Sequence, residues 1–233
     1  MRNGSIEATE HRNACQRVRA RFRRSILRRY VSSKLRTDPM FPVAYELLRD
    51  ASDPIIDLGC GVGLLAFYLR ERGVRTPILG IDCDAGKIAR AKEIGTNYKD
   101  IEFVRQDARQ PLPGKGTILL FDLLHYLQPG EQADLLEHLA DSVTPNGMLL
   151  LRDCPRDKNL RYWFTYLAER LGQMVSWNLA GKLHYPSRES IVTAFADGQF
   201  SLTIAPLWGG TPFNSHLFLF RNRPTRDPAL LRT

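Results

Sequence analysis

Ile55-Ile56-Asp57-Leu58-Gly59-Cys60-Gly61-Val62-Gly63-Leu64 is a short apolar run that ends in an acid, passes through three alternating glycines and opens into a new apolar pattern. The first four residues read as a buried strand, and Leu64 to Arg72 carries apolar residues at helical spacing. A glycine-rich turn joining the C-terminal end of a strand to a helix lets backbone approach a ligand that any Cβ would keep away. The same alternation continues outward. Strands are predicted at Ile78 to Ile81, Ile101 to Arg105, Thr117 to Phe121 and Met148 to Leu151, with helices at Ala85 to Ile94 and Glu131 to Ser142 between them. Repeated βα units imply a parallel sheet covered by helices, a doubly wound α/β domain. Phe200 to Ala205 and His216 to Arg221, separated by Pro206, Gly209, Gly210 and Pro212, predict a closing hairpin.

The chain has 233 residues, 43% hydrophobic and 25% charged, which fits one globular domain with appendages and argues against a disordered or fibrous protein. Its longest apolar stretches, Met148 to Leu151 and Leu217 to Phe220, fall far short of the roughly 20 residues of a spanning helix. The first ten residues are polar and lack the apolar core of a secretory signal, so a cytoplasmic protein is expected. The four cysteines, Cys15, Cys60, Cys83 and Cys154, form no C-x-x-C pair, which points to free thiols and away from a metal site; none is assigned.

The net charge of +8 is concentrated near the N-terminus. Residues 1–50 are read as a basic helical extension, 51–222 as the α/β domain, and 223–233 as a tail. Val18, Phe22, Ile26, Leu27 and Tyr30 interleave with arginines in a predicted amphipathic helix from about Ala14 to Val31. Asp38 before Pro39 then predicts the start of a second helix running to about Arg49. Residues 157–198 interrupt the βα rhythm. This stretch holds a predicted helix from Asp157 to Val175 containing Tyr162, Trp163, Phe164 and Tyr166, an irregular piece with Trp177, and a helix from Ser187 to Ala196, and it is read as an inserted lid.

Acids stand just past or within four strand ends: Asp57, Asp82 in Gly80-Ile81-Asp82, Asp107 in Gln106-Asp107-Ala108 and Asp122 in Leu120-Phe121-Asp122-Leu123-Leu124-His125. Open α/β sheets place their ligands at strand C-termini, so these four are expected around one crevice. With the terminal hairpin, the set resembles class I S-adenosylmethionine (SAM)-dependent methyltransferases over about Pro54 to Asn222. The resemblance implies a Rossmann-like, mostly parallel seven-stranded sheet with an antiparallel last strand, and SAM as cofactor. It implies Asp57, Gly59, Cys60, Gly61, Gly63, Asp82, Cys83, Asp107, Ala108 and Asp122 as its cofactor-binding residues. Within that set Asp57 faces the charged end, Asp82 the ribose hydroxyls, Asp107 the adenine amino group and Asp122 the transferable methyl. A dinucleotide turn of an NAD-dependent oxidoreductase is the alternative, though Leu64 occupies the position of its third glycine.

Methyl transfer from a sulfonium is an in-line displacement, and a hydroxyl or acidic carbon acceptor needs a group to take its proton. His125 is the candidate general base. The aromatic insertion suits a small aromatic or lipophilic acceptor undergoing O- or C-methylation. Tyr30, Arg36, Tyr126, Asp153, Tyr162, Tyr166, Trp177, Asn214 and His216 are the candidate acceptor-lining residues. Lys34-Leu35-Arg36-Thr37-Asp38-Pro39, Leu124-His125-Tyr126-Leu127, Arg152-Asp153 and Thr211-Pro212-Phe213-Asn214 are also similar to methyltransferases encoded with bacterial aryl polyene pigment pathways, which implies secondary metabolism and an aromatic acid or phenolic acceptor. Three further readings compete. The basic helix fits a nucleic-acid methyltransferase, yet the fourth-strand motif lacks an Asn-Pro-Pro-Tyr-like tetrapeptide. It also fits peripheral attachment to an anionic inner membrane face, with Phe22, Ile26 and Leu27 dipping in. A non-catalytic SAM-binding protein would carry the same cofactor residues.

Overall fold

A computed structural model describes residues 2–23, 25–157, 159–174, 182–196 and 198–223. Seven strands form one sheet: β1 (Ile55–Leu58), β2 (Ile78–Asp82), β3 (Ile101–Arg105), β4 (Thr117–Phe121), β5 (Met148–Asp153), β6 (Phe200–Pro206) and β7 (His216–Asn222). Their order is β3-β2-β1-β4-β5-β7-β6. β1 pairs parallel with β2, β2 with β3 and β4 with β5, whereas β7 runs antiparallel to both β5 and β6. The antiparallel last strand expected from the closing hairpin is therefore present, inserted between β5 and β6.

Burial explains which strands occupy the centre. Every residue of β1 and β5 is buried, as are the first four of β4, which is how a strand covered on both faces reads. β3 and β6 end the sheet and alternate or expose most of their residues. The eight helices among the described residues are α1 (Arg2–Arg21), α2 (Ser25–Thr37), α3 (Met40–Leu48), α4 (Leu64–Glu71), α5 (Ala85–Gly95), α6 (Pro129–Ser142), α7 (Leu160–Met174) and α8 (Arg188–Thr193). α6 begins earlier than the apolar pattern suggested because Pro129 fits the first turn and Glu131 reaches back to the Gln128 amide at 2.8 Å, closing a capping box.

The single basic helix expected from Ala14 to Val31 is instead two, α1 and α2. One straight helix would keep Ile26 on the stripe of Val18 and Phe22. Those two are buried, but Ile26 is 76% exposed. Breaking after Arg21 rephases the chain so that Val31 and Leu35 become the buried residues of α2. Phe22 packs edge-on against Phe67, with ring centroids 6.4 Å apart, so it belongs to the core and is not available to enter a membrane. α3 starts at Met40 and ends at Leu48, and Asp38 still supplies the expected capping bond by accepting the Met40 N–H at 2.9 Å. No helix among the described residues is long and apolar enough to cross a membrane.

The chain forms two compact units. Among the described residues, unit 1 falls within 1–110 and 207–212, and unit 2 within 111–206 and 213–223. Phe67 is the hub of unit 1, stacked on Tyr98 at 5.0 Å and edge-on to Phe103 at 5.5 Å. α1 packs on α4, where Arg17 binds Glu71 at 2.5 Å and His11 Nδ1 lies 2.8 Å from the Tyr68 hydroxyl. Unit 2 is organised around β4, β5 and β7, whose inward residues include Leu119, Leu150, Phe218 and Phe220, all fully buried.

Candidate functional site

In unit 1 the β1–α4 turn is a cradle made of backbone. Gly59, Gly61 and Gly63 have φ of 84°, 57° and 77°, a region that strains most L-residues. The turn is tied to β2 from below: the Gly59 and Cys60 amides donate to the Ile81 carbonyl at 2.8 and 3.0 Å. Asp82 fixes it from the side, its carboxylate accepting the Gly61 N–H at 2.9 Å and the Asp84 N–H at 2.8 Å. Each oxygen of that carboxylate keeps a second acceptor position, so Asp82 can still receive a pair of hydroxyls. A Cβ at Gly61 would meet nothing within 4 Å, so that glycine borders open space.

Asp57 lies under this cradle and is buried. Burial pushes its carboxyl up to about 7, with the Asp82 charge adding to the effect. A buried acid held part-neutral is a costly feature that a cationic ligand would relieve. Burial, with Asp57 and Asp82 nearby, pushes the Cys60 thiol well above its usual range, so it is a neutral wall of the turn and not a nucleophile. The Cys83 thiol is likewise pushed up, first by burial. Asp107 is half-exposed after β3. Arg109 grips both its oxygens, at 2.9 and 2.5 Å, and that hydrogen bonding holds the Asp107 carboxyl below its usual range. Ala108 continues the same turn. These residues, from Asp57 to Ala108, all lie in unit 1.

Unit 2 carries a different kind of assembly. His125 lies in a 3-10 turn, Leu124–Tyr126, following β4. Its Nδ1 is 2.8 Å from Asp153 Oδ1 at the end of β5, and both side chains are buried. The same Asp153 oxygen accepts the Cys154 N–H at 2.7 Å, while Oδ2 is buried with no hydrogen-bond partner among the described residues. The dyad fixes the ring: with Nδ1–H donated to a carboxylate, Nε2 is the nitrogen that can take a proton. Tyr185 stacks on the imidazole with centroids 5.1 Å apart and planes 17° from parallel. Tyr162 meets the Tyr185 ring edge-on at 5.4 Å, and Tyr126, Tyr162 and Tyr166 all pack on the cluster of Cys154, Leu183 and Tyr185.

The remaining expected residues divide in their roles. Asp122 has φ 54° and donates its N–H to the Arg152 carbonyl at 2.9 Å, while the Arg152 guanidinium binds its carboxylate through two hydrogen bonds. It follows β4 directly and belongs to unit 2. His216 has both ring nitrogens engaged: Nδ1 donates to the Asn214 carbonyl at 3.0 Å, and Nε2 accepts from Arg188 at 2.8 Å. Burial chiefly lowers its pKa from the usual histidine value, which favours the neutral ring. Asn214 is buried and braces the start of α7, its N–H donating to Thr165 Oγ1 at 2.9 Å. Tyr30 and Arg36 are exposed residues of α2 in unit 1. Trp177 lies outside the described residues.

Besides Tyr185, three contributors are not evident in the sequence. Phe103 faces Gly80 in the β2–β3 register, and its ring lies 2.6 Å from where a Gly80 Cβ would stand and 2.5 Å from a Gly63 Cβ. Both glycines therefore accommodate one phenyl ring beneath the turn. Gln132 on α6 donates to the Leu124, Leu127 and His184 carbonyls at 3.0, 3.0 and 2.6 Å, and the His184 N–H donates to the His125 carbonyl at 2.8 Å. Together they clamp the histidine turn to the segment carrying Tyr185. Arg152 is the third. An inward alternation flags Phe103, but no local pattern flags the other two.

A family model described as a methyltransferase domain matches residues 21–203. The chain belongs to this methyltransferase family. Membership sets aside the NAD-dependent oxidoreductase reading. Trans-aconitate 2-methyltransferase of Sinorhizobium fredii is 31% identical over 113 residues, 47% of this chain and 43% of that protein. Carboxy-S-adenosyl-L-methionine synthase of Wolinella succinogenes is 28% identical over 130 residues, 51% of this chain and 54% of that protein. The chain thus spans about half the length of the curated relatives it matches. Magnesium protoporphyrin IX methyltransferase from Synechocystis PCC 6803, solved with SAM bound, is similar in fold: TM-score 0.61, 16% identity and 90% coverage of each chain.

Proposed function

We propose that this methyltransferase moves the methyl group of SAM to a small aromatic or lipophilic acceptor bearing a hydroxyl or acidic carbon. The observation that carries this reading is the buried His125–Asp153 pair, with Nδ1 2.8 Å from Oδ1, the imidazole flanked by Tyr126 and Tyr185 and Tyr162 packed against Tyr185. SAM when bound supplies an electrophilic methyl on a sulfonium. Gly59, Gly61 and Gly63 hold it by backbone approach, Asp82 accepts the ribose hydroxyls, Asp57 faces the cationic end and Asp107 shares its carboxylate with the adenine amino group. The fit rests on the open space above Gly61 and the raised Asp57 carboxyl, which an adjacent cation would stabilise as a carboxylate.

His125 Nε2 accepts the acceptor's proton, and Asp153 holds the imidazole in the required tautomer and balances the imidazolium that forms. The tyrosines present planar apolar surface and exclude water from the reacting atoms. A second reading follows from the trans-aconitate relatives: a carboxylate acceptor, already ionised at neutral pH, which needs no base. One screen separates the two. Labelled SAM is offered with phenols, aromatic acids and aliphatic polycarboxylates to the natural chain and to His125→Ala. Phenol methylation that disappears in the variant supports the proposal. Transfer restricted to carboxylates and indifferent to His125 favours the second reading.

A further inference from the structure

The arginine-rich extension has no part in the chemistry above, yet in unit 1 it builds a cavity of about 290 Å3 where α1 breaks into α2 beside the C-terminal half of α5. Phe22, Leu27 and Ile94 give it an apolar side; Arg21, Arg23 and Arg90 give it a cationic one. Glu93, bound to Arg90, is the lone acid among the lining residues, so three arginines against one glutamate leave a formal charge of +2. Three other arginines of unit 1 face acids: Arg17 binds Glu71, Arg49 binds Glu46 and Asp50, and Arg72 lies near Glu7 and Glu10. Arg21 meets the Asn97 amide oxygen at 3.5 Å and Tyr98, whose ring lies 5.8 Å away and whose hydroxyl in turn donates to Glu71, and among the described residues no ion pair within 4 Å joins Arg21 or Arg23 to a carboxylate.

We propose that this cavity binds a phosphate monoester, its dianion held by Arg21, Arg23 and Arg90 and the first carbons of its ester group against Phe22, Leu27 and Ile94. A phosphate monoester carries a charge of about −1.5 to −2 at neutral pH, which balances the lining, and guanidinium forks match phosphate oxygens in pairs. A carboxylate would leave one positive charge uncompensated. The volume corresponds to roughly ten waters at about 30 Å3 each, enough for a glycerol- or sugar-sized phosphate and too little for a dinucleotide. Such a group comes either from a free metabolite or from the head of an anionic lipid, and the chemistry of recognition is shared.

Two arms on the full chain test the assignment: calorimetric titration with glycerol 3-phosphate, and flotation with phosphatidylcholine vesicles with and without phosphatidic acid. Saturable binding in at least one arm is expected. Arg21→Ala/Arg23→Ala should weaken it at least tenfold, while Arg28→Ala/Arg29→Ala, on the exposed side of α2, should leave it within twofold. Binding in the first arm identifies a soluble ligand; binding only in the second identifies a lipid head. Absence of saturable binding in both arms overturns the proposal, as does an equal loss in the Arg28/Arg29 variant, which would show diffuse attraction to a charged helix. Circular dichroism reports folding. Should the Arg21/Arg23 variant fail to fold, Arg90→Gln replaces it, and unchanged affinity there overturns the assignment.

Discussion

The two units solve different problems with different materials. Unit 1 makes its cradle from main chain: three glycines with positive φ, tied by amide bonds to Ile81 and Asp82. Unit 2 makes its reactive centre from side chains, His125 held by Asp153, clamped through Gln132 and faced by Tyr185. A backbone cradle can be damaged only by changing shape, whereas a side-chain dyad can lose its chemistry and keep its shape. Substitutions in the two units should therefore separate affinity for the cofactor from the rate of transfer.

The largest effect is expected in unit 2. With a phenolic acceptor, His125→Ala should lower the rate at saturating SAM about 100- to 10,000-fold, the usual worth of a positioned base. Asp153→Asn, which keeps the shape but removes the carboxylate that fixes the tautomer, should cost a comparable factor, and the double variant little more than either alone. SAM affinity should stay within twofold in all three. A matching loss of SAM affinity would break the separation.

The next effect belongs to Asp57. Its carboxyl holds a proton in the folded chain up to about 7, against 3.8 ordinarily, so between those values the folded state binds more protons than the unfolded one. Stability should accordingly fall as pH rises from about 4 to 7 and level off above, by on the order of 4 kcal/mol. Chemical denaturation across that range checks the slope, and Asp57→Asn should flatten it. Because the ionised acid is the form that faces a cation, SAM binding below pH 7 should release close to one proton, measurable by calorimetry in buffers of differing ionisation enthalpy. Proton-neutral binding would place the cationic end elsewhere.

A smaller contrast sharpens the account within the cradle itself. Gly63→Ala puts a methyl 2.5 Å from Phe103 in a left-handed conformation and should cost about 2 to 4 kcal/mol of stability. Gly61→Ala meets no neighbour within 4 Å, so it should cost only about 1 to 2 kcal/mol while weakening SAM binding by tenfold or more. Unchanged SAM affinity in Gly61→Ala would mean that the space above Gly61 is not where the cofactor lies.

This contrast also explains what could be read from the chain alone. The sheet was legible because its central strands, Ile55 to Leu58 and Thr117 to Phe121, are short and mostly apolar, and because the glycine turn is local in sequence. Asp82 was legible because a strand end fixes its location. The break between α1 and α2 was not, since apolar spacing through Phe22 and Ile26 suits one helix and only tertiary packing shows which residues are buried. The alliances of unit 2 were hidden for a related reason. Asp153 lies 28 residues from His125, the His184 carbonyl 52 residues from Gln132 and Thr165 49 residues from Asn214, so no periodicity links them. Histidine and aspartate could be nominated singly, but their partnership is a property of the fold.

Titration of SAM into the natural chain and into Asp82→Ala tests the central claim most directly. The cradle and its acid predict saturable one-site binding, weakened in the variant by roughly 30-fold or more through the loss of two hydrogen bonds worth about 1 kcal/mol or more each. Equal affinity for SAM in the two proteins, or none in the natural chain, would contradict the account.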